Sequence, residues 1–134
     1  MIILDEQLLG RHIEDDIARW YRGAVRFLVE VCPHTVIKDE RIPAVLRQQP
    51  QPTFVTINEQ DFWRKVAIDR HYCVVCFALA DTRVREIPAS LRALFRRPEF
   101  RTKRQRMGAV IRVADARVSY YTFHDRAIHI LTSS

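Results

Sequence analysis

The sequence is short of glycine and of long apolar runs, and both shortages exclude classes of protein. Its three glycines lie far apart in a chain of 134 residues. A P-loop or a dinucleotide-binding turn needs clustered glycines, so nucleotide-binding enzymes of those types are excluded. The longest apolar run, 73–80, is too short to span a bilayer, and Asp5 and Glu6 stand where a secretory signal needs an apolar core. We therefore expect a cytoplasmic protein with no membrane span.

Cysteine is also scarce, since the chain has only Cys32, Cys73 and Cys76. An odd number of thiols in strand-like surroundings is typical of a reducing compartment rather than of a disulfide framework. Cys73 and Cys76 have the spacing of half a metal or redox motif, but strand alternation would point them to opposite faces. We expect inert, buried thiols, and no serine or cysteine lies in a recognisable setting for covalent catalysis.

Positive charge is concentrated in one segment. The chain has 22 basic and 16 acidic residues, and the segment 83–106 holds nine of the basic residues and two of the acidic ones. Such a basic run predicts contact with the phosphates of a nucleic acid, although binding of an acidic protein segment or plain solubility would use the same charges. The predicted nucleic-acid-binding residues are Arg96, Arg97, Arg101, Lys103, Arg104 and Arg106.

The apolar pattern alternates between short strands and amphipathic helices. Strands are predicted at 2–4, 24–31, 53–57 and 72–80, and helices at about 9–20, 39–49, from about 60, and after 81. Continuous apolar strands separated by helices indicate a parallel sheet that is covered on both faces. Two β-rich runs, 108–113 and 117–123, predict a closing hairpin around 114–116. The length suits one α/β domain, 1–134.

Oxygen-bearing side chains follow the predicted strands. Asp5 comes just after the first strand, Asn58 and Asp61 come after the strand 53–57, and Asp39 opens the helix in between. Ligands of parallel α/β sheets bind beyond the carboxyl ends of the strands, so these side chains can face one crevice. Carboxylates without cysteine or histidine suit Mg²⁺ or Mn²⁺. Such an ion beside a phosphodiester orients a water and stabilises the developing charge.

These stretches resemble the small PIN-like proteins. The pattern of that family runs L-D-E-x-L, then D-x-x-I, then a strand that ends T-x-D/N, with D-F nearby. This chain has, in the same order, Leu4-Asp5-Glu6-Gln7-Leu8, Asp39-Glu40-Arg41-Ile42, and Thr56-Ile57-Asn58 with Asp61-Phe62. The resemblance covers roughly the first 80 residues, and the ordered combination is more specific than any one motif.

The resemblance implies a three-layer α/β/α Rossmann-like sandwich with a mostly parallel sheet, and a metal-dependent ribonuclease activity. Bacterial members are often the toxin of a toxin–antitoxin pair, with RNA and a cognate antitoxin as partners, and small members often form homodimers. By this match the acidic cluster is Asp5, Asp39 and Asp61, with Mg²⁺ or Mn²⁺ as cofactor. Asn58 takes a place often filled by aspartate, and Thr56 orients the site. Asn58 is neutral and is separated from Asp61 by two residues where relatives commonly have one, which weakens the predicted metal site.

Each predicted ligand also has a structural alternative. Asp39 is a good N-cap, and Asn58 with Asp61 three positions later is close to a capping box. If the acids only cap helices, the chain is a non-catalytic PIN-like module that binds RNA or protein. A third alternative is a metal-dependent phosphatase on a related Rossmann-like core.

Overall fold

The computed structural model describes residues 1–33, 37–115 and 117–132. They form one seven-stranded sheet in the order β2-β1-β3-β4-β5-β6-β7. Strands β1 to β5 are parallel, and β6 and β7 join them antiparallel. The α/β class, the mostly parallel sheet and the C-terminal hairpin are therefore confirmed. The strands are β1 Ile2–Leu4, β2 Val25–Phe27, β3 Thr53–Thr56, β4 Cys73–Phe77, β5 Ala109–Ala114, β6 Arg117–Thr122 and β7 His129–Thr132.

Short helices connect the parallel strands. The connections also contain three stretches of 3-10 helix, which are Glu6–Leu8, Asp39–Arg41 and Asp81–Glu86. Among the described residues no helix has both the length and the apolarity needed to cross a membrane. The α-helices are α1 Ile13–Ala18, α2 Leu28–Val31, α3 Ile42–Arg47, α4 Glu59–Phe62, α5 Ile87–Arg96 and α6 Lys103–Arg106.

Helices cover both faces of the sheet, which makes three layers. On the first face, Ile13 and Ile17 of α1 pack in one core with residues of α5 such as Leu91. On the second face, α2, α3 and α4 contribute a separate core that includes Leu46 and Phe62. Because the central strands meet apolar side chains on both sides, they read as continuous apolar runs in the sequence.

Predicted boundaries of two elements differ clearly from the structure. The second strand ends at Phe27, where the Phe27 N–H donates to Oε1 of Glu30 at 3.0 Å and so caps the start of α2. Helix α1 starts at Ile13, since Gly10 and His12 adopt φ values of 78° and 61°. The closing hairpin is confirmed by the pairing of β5 with β6, although Ala116 of its predicted turn lies outside the described residues.

The parallel strands define two edges of the molecule. We call the edge where β1 to β5 end the carboxyl edge, and the edge where they begin the amino edge. Helices α1 and α5 each connect the carboxyl edge back to the amino edge. They contact each other side by side on the first face. Loops after β1, β3 and β4 meet at the carboxyl edge, where the predicted site residues follow the strands.

Candidate functional site

Asp5 occupies the carboxyl end of β1 and is 8% exposed. Its Oδ1 accepts a hydrogen bond from the N–H of Glu6 at 2.7 Å, and its Oδ2 accepts one from the hydroxyl of Thr56 at 2.6 Å. Burial raises the pKa of Asp5 in spite of these bonds, because a carboxylate loses hydration there. None of the ion pairs that the described residues form includes Asp5. Asp5 is thus a buried acid with hydrogen-bond donors but no cationic partner.

Thr56 joins Asp5 to the start of α4. Its hydroxyl donates to Asp5 and accepts the N–H of Asn58 at 3.0 Å. Asn58 then caps α4, since its Oδ1 accepts the N–H of Asp61 at 3.3 Å and its Nδ2 donates to Oδ2 of Asp61 at 2.7 Å. The helix-capping role predicted for Asn58 is therefore confirmed. Asn58 also holds the Asp61 carboxylate in a fixed relation to Asp5.

Asp39 reaches the same edge from a third segment of the chain. The N-cap of the 3-10 turn Asp39–Arg41 is Lys38, and no side-chain hydrogen bond caps that turn. The N-cap role predicted for Asp39 is therefore wrong. The pKa of Asp39 is raised, first by partial burial and then by the negative charges of Asp61 and Asp5, together with a side-chain hydrogen bond to Asp61. The charges of Asp61 and Asp5 are therefore close enough to Asp39 to affect its protonation.

A cavity of about 490 Å³ opens beside this acidic cluster of Asp5, Asp39 and Asp61. Asp39 and Asp61 line it together with Lys65, and Phe62 supplies part of the apolar wall. Lys65 places one cation among the acids, a feature that no motif in the sequence indicated. The cavity can admit a charged group such as a phosphate next to the carboxylates.

The donor set has the chemistry of a hard-cation site. Three carboxylates and the amide oxygen of Asn58 are oxygen ligands of the kind that Mg²⁺ and Mn²⁺ prefer. Within the described part of the chain, however, no group of three or more aspartate, glutamate, histidine or cysteine side chains is arranged so that it could hold a metal ion. Asp5 and Asp61 also accept hydrogen bonds from Thr56 and Asn58, which orient their carboxylates. The residue types fit the cation, and the acids are gathered without forming a metal-holding group.

A charged pair between α4 and the sheet fixes the start of α4. Arg112 of β5 donates from Nε to Oε2 of Glu59, and both side chains are about one third exposed. Glu59 directly follows Asn58, so this bond ties the cap of α4 to the sheet. The two residues are 53 positions apart, and no local pattern in the sequence relates them.

The predicted nucleic-acid-binding residues lie at the opposite edge of the sheet from the acids. Arg96 ends α5, and Lys103 and Arg106 belong to α6, just before β5 begins. The pKa of the amino group of Met1 is lowered first by burial and then by the positive charges of Lys103 and Arg106, which lie near the start of β1. Asp5 lies at the other end of the same strand. These predicted nucleic-acid-binding residues therefore do not face the acidic cluster directly.

Arg106 is an exception within the basic segment. Its side chain is buried, and Nη1 donates to the carbonyl oxygens of Phe100 at 2.9 Å and Arg101 at 3.2 Å. The guanidinium also lies 3.9 Å from the ring centroid of Phe95. Arg106 is thus engaged in packing, so its predicted role as a phosphate ligand is not supported by its position. The exposed members of the predicted set are Arg96, Arg101, Lys103 and Arg104, and Arg97 is half-buried.

Comparison of the chain with family models, with curated proteins and with solved structures finds no match.

Proposed function

We propose that this protein is a metal-dependent endoribonuclease that acts in the cytoplasm, with Asp5, Asp39 and Asp61 as its acidic cluster. The observation that carries the proposal is that Asp39 and Asp61, from separate segments, line one cavity. The pKa of Asp39 is raised first by burial and then by the charges of Asp61 and Asp5, so all three acids act on one another. Gathering like charges costs free energy, and proteins that retain such clusters commonly use them to bind a cation or to transfer protons. The PIN-like motifs of the sequence support RNA as the substrate.

To hold Mg²⁺ or Mn²⁺, Asp5, Asp39 and Asp61 would have to move into a metal-holding arrangement that the described residues do not form on their own, with the amide oxygen of Asn58 as a neutral fourth donor. When bound, the ion would polarise a water and neutralise the charge that develops on the phosphate. Thr56 holds Asp5 in position through its hydroxyl, and burial of Asp5 keeps bulk water from that side. Lys65 lines the adjacent cavity, where an incoming phosphate would meet its positive charge.

The resemblance also supports a cellular role as the toxin of a toxin–antitoxin pair. In that role an acidic antitoxin segment would compete with RNA for the exposed cations of the basic segment. Unpaired toxin would then degrade RNA. Induced expression in a bacterial host should arrest growth for the wild-type protein and not for Asp5→Asn if this role is correct.

The direct test is cleavage of mixed RNA by purified protein. We expect degradation with Mn²⁺ or Mg²⁺, loss of degradation with a chelator, and loss in Asp5→Asn and in Asp39→Asn. The exposed acid Asp125 lies in the connection before β7, away from the cluster, so Asp125→Asn is the matched control and should retain full activity. Wild-type protein that leaves RNA intact with every divalent ion would refute the catalytic proposal.

A non-catalytic binding module is the alternative that specific contacts favour. Asp5 caps the 3-10 turn Glu6–Leu8 and Asn58 caps α4, so part of the set has structural work without a metal. This alternative predicts no cleavage by any form of the protein. It also predicts that Asp39→Asn leaves binding of RNA and the stability unchanged, because Asp39 caps nothing. Titration of Mn²⁺ into wild type and Asp39→Asn separates the two, since only the nuclease proposal predicts metal binding that the substitution weakens.

A further inference from the structure

A groove of about 930 Å³ runs between α1 and α5 on the first face of the sheet. Five arginines line it against a single acid, Asp16. We call this surface the arginine groove and define its cations as Arg19, Arg22, Arg85, Arg92 and Arg96.

The arginines from α5 and its preceding turn form one stripe. Arg92 and Arg96 are one turn apart on α5, and Arg85, in the 3-10 turn before α5, lines the same groove. The small side chains of Ala89 and Ala93 lie between them and leave the floor of the groove open. At 1.5 Å per residue the stripe is about 16 Å long. That length can follow several consecutive phosphates of an extended strand.

Most of these cations have no counter-charge in the part of the chain that the structure describes. Arg19 pairs with Asp16 at 3.3 Å, and both side chains are largely exposed. Among residues 1–33, 37–115 and 117–132, no carboxylate lies within ion-pair distance of Arg22, Arg85, Arg92 or Arg96. Exposed like charges at this spacing repel one another, and a bound polyanion would relieve that repulsion.

The groove connects the two edges of the sheet. At the amino edge it begins at Arg96, where the exposed part of the basic segment continues with Arg101. At the carboxyl edge Arg85 also lines a second cavity of about 340 Å³, shared with Arg11 and His12 at the start of α1. A nucleic-acid strand laid in the groove would therefore run from the amino edge to the carboxyl edge, which carries the acidic cluster.

We propose that the arginine groove binds the sugar-phosphate backbone of single-stranded RNA. Trp20 and Tyr21 line its amino-edge end, and each packs edge-on against Phe95 at ring distances of 5.8 Å and 6.3 Å, which fixes their orientation and leaves each ring partly exposed. Aromatic rings beside cations are the arrangement on which unpaired bases stack. An acidic protein segment would use the arginines but has no bases for the rings, and a duplex keeps its bases stacked inside. Single-stranded RNA uses both features.

This inference rests on the geometry of the groove and not on catalysis by the acidic cluster. Binding can be measured with a chelator present, so the proposed nuclease activity does not enter. If the cluster is inactive, the groove should still bind RNA. If the groove does not bind, cleavage at the cluster is still tested separately by the divalent-ion experiment.

The test is fluorescence anisotropy of a labelled oligouridine RNA with chelator at several salt concentrations. We expect Arg92→Gln combined with Arg96→Gln to weaken binding roughly tenfold and to lower the salt slope by about 0.7 for each phosphate that the variant no longer neutralises. The matched control combines Arg26→Gln with Arg117→Gln. Both arginines are exposed, and strand alternation places them on the second face, so the same reduction of charge should leave the affinity nearly unchanged.

A second readout locates the RNA. The chain has two tryptophans, and Trp63 packs against Tyr121 on the second face. In Trp63→Phe the remaining fluorescence comes from Trp20, so oligouridine should quench it. Equal weakening by the groove and control variants would overturn the proposal. So would tighter binding of duplex RNA, or displacement of the RNA by a glutamate-rich peptide at equal charge concentration, which would assign the groove to a protein partner.

Discussion

The hydroxyl of Thr56 donates a 2.6 Å hydrogen bond to Oδ2 of Asp5, across the ends of two adjacent parallel strands. Both residues are buried, at 0% and 8% exposure. The same hydroxyl accepts the N–H of Asn58, which caps the helix that carries Asp61. One threonine therefore sets the relative positions of two acids that belong to different segments.

Replacement of Thr56 by valine should damage this arrangement without changing the volume much. The substitution leaves the Asn58 N–H and Oδ2 of Asp5 without partners, which costs about 1–3 kcal/mol for each buried group left unsatisfied. It should also raise the pKa of Asp5 further, since the Thr56 hydrogen bond lowers that pKa. Urea unfolding measures the decrease in stability. Thr56→Ser keeps the hydroxyl and should retain most of the stability, so equal decreases in the two variants would rule out the hydrogen bond as the cause.

Asp5→Asn should change how stability depends on pH. Because the pKa of Asp5 is raised above its ordinary value of 3.8, the folded protein binds the proton more tightly than the unfolded chain does. The stabilisation from protonated Asp5 is complete below the ordinary pKa and is lost as pH rises through the folded pKa. Wild type should thus lose stability relative to Asp5→Asn between acidic and neutral pH. Parallel urea midpoints for the two proteins across that range would contradict the assigned burial of the charge.

Arg106→Gln should lower stability rather than affinity for RNA. The substitution removes hydrogen bonds to the carbonyl oxygens of Phe100 and Arg101 and the interaction with the Phe95 ring, which together are worth about 3 kcal/mol. Arg104→Gln removes the same charge from an exposed position of α6 and should leave the melting temperature nearly unchanged. Thermal melts of the two variants provide the comparison, and similar melting temperatures would show that the burial of Arg106 does not matter.

The thiols of Cys73 and Cys76 should resist modification in the native protein. Burial raises the pKa of each to about 12, so almost no thiolate forms at neutral pH. Cys32 is only half-buried and should be the single thiol that a disulfide reagent titrates. All three should react after unfolding in denaturant. Rapid reaction of more than one thiol under native conditions would contradict the placement of β4 in the centre of the sheet.

The parts of the fold that follow from local patterns were predictable. Apolar runs located β1, β3 and β4, and alternation placed Cys73 and Cys76 on opposite faces, where they belong to separate cores. The end of β2 was not predictable from alternation, because Val25, Phe27, Val29 and Val31 continue the strand pattern. Tertiary packing and the Glu30 capping bond start α2 at Leu28 instead and leave Val29 39% exposed.

The candidate site was predictable as a set of acids at one edge, because strand ends and parallel topology determine where loops meet. Its inner connections were not predictable. The bonds from Thr56 to Asp5 and from Arg112 to Glu59 join positions more than 50 residues apart. Arg106 could not be distinguished from Arg104 by composition, since only the packing against Phe95 separates a buried guanidinium from a solvated one. The arginine groove likewise depends on α1 and α5 being neighbours, which the strand order determines.

The order in which the two surfaces arise along the chain has a consequence for synthesis. Every acid and amide of the cluster lies within the first 61 residues, whereas the groove needs α5, at residues 87–96. Parallel pairing of β1 with β2 and β3 closes long loops and is slow, while β5, β6 and β7 pair as sequence neighbours. A nascent chain on the ribosome therefore exposes all the acids before it can build the arginine groove, which forms only when α5 docks beside α1.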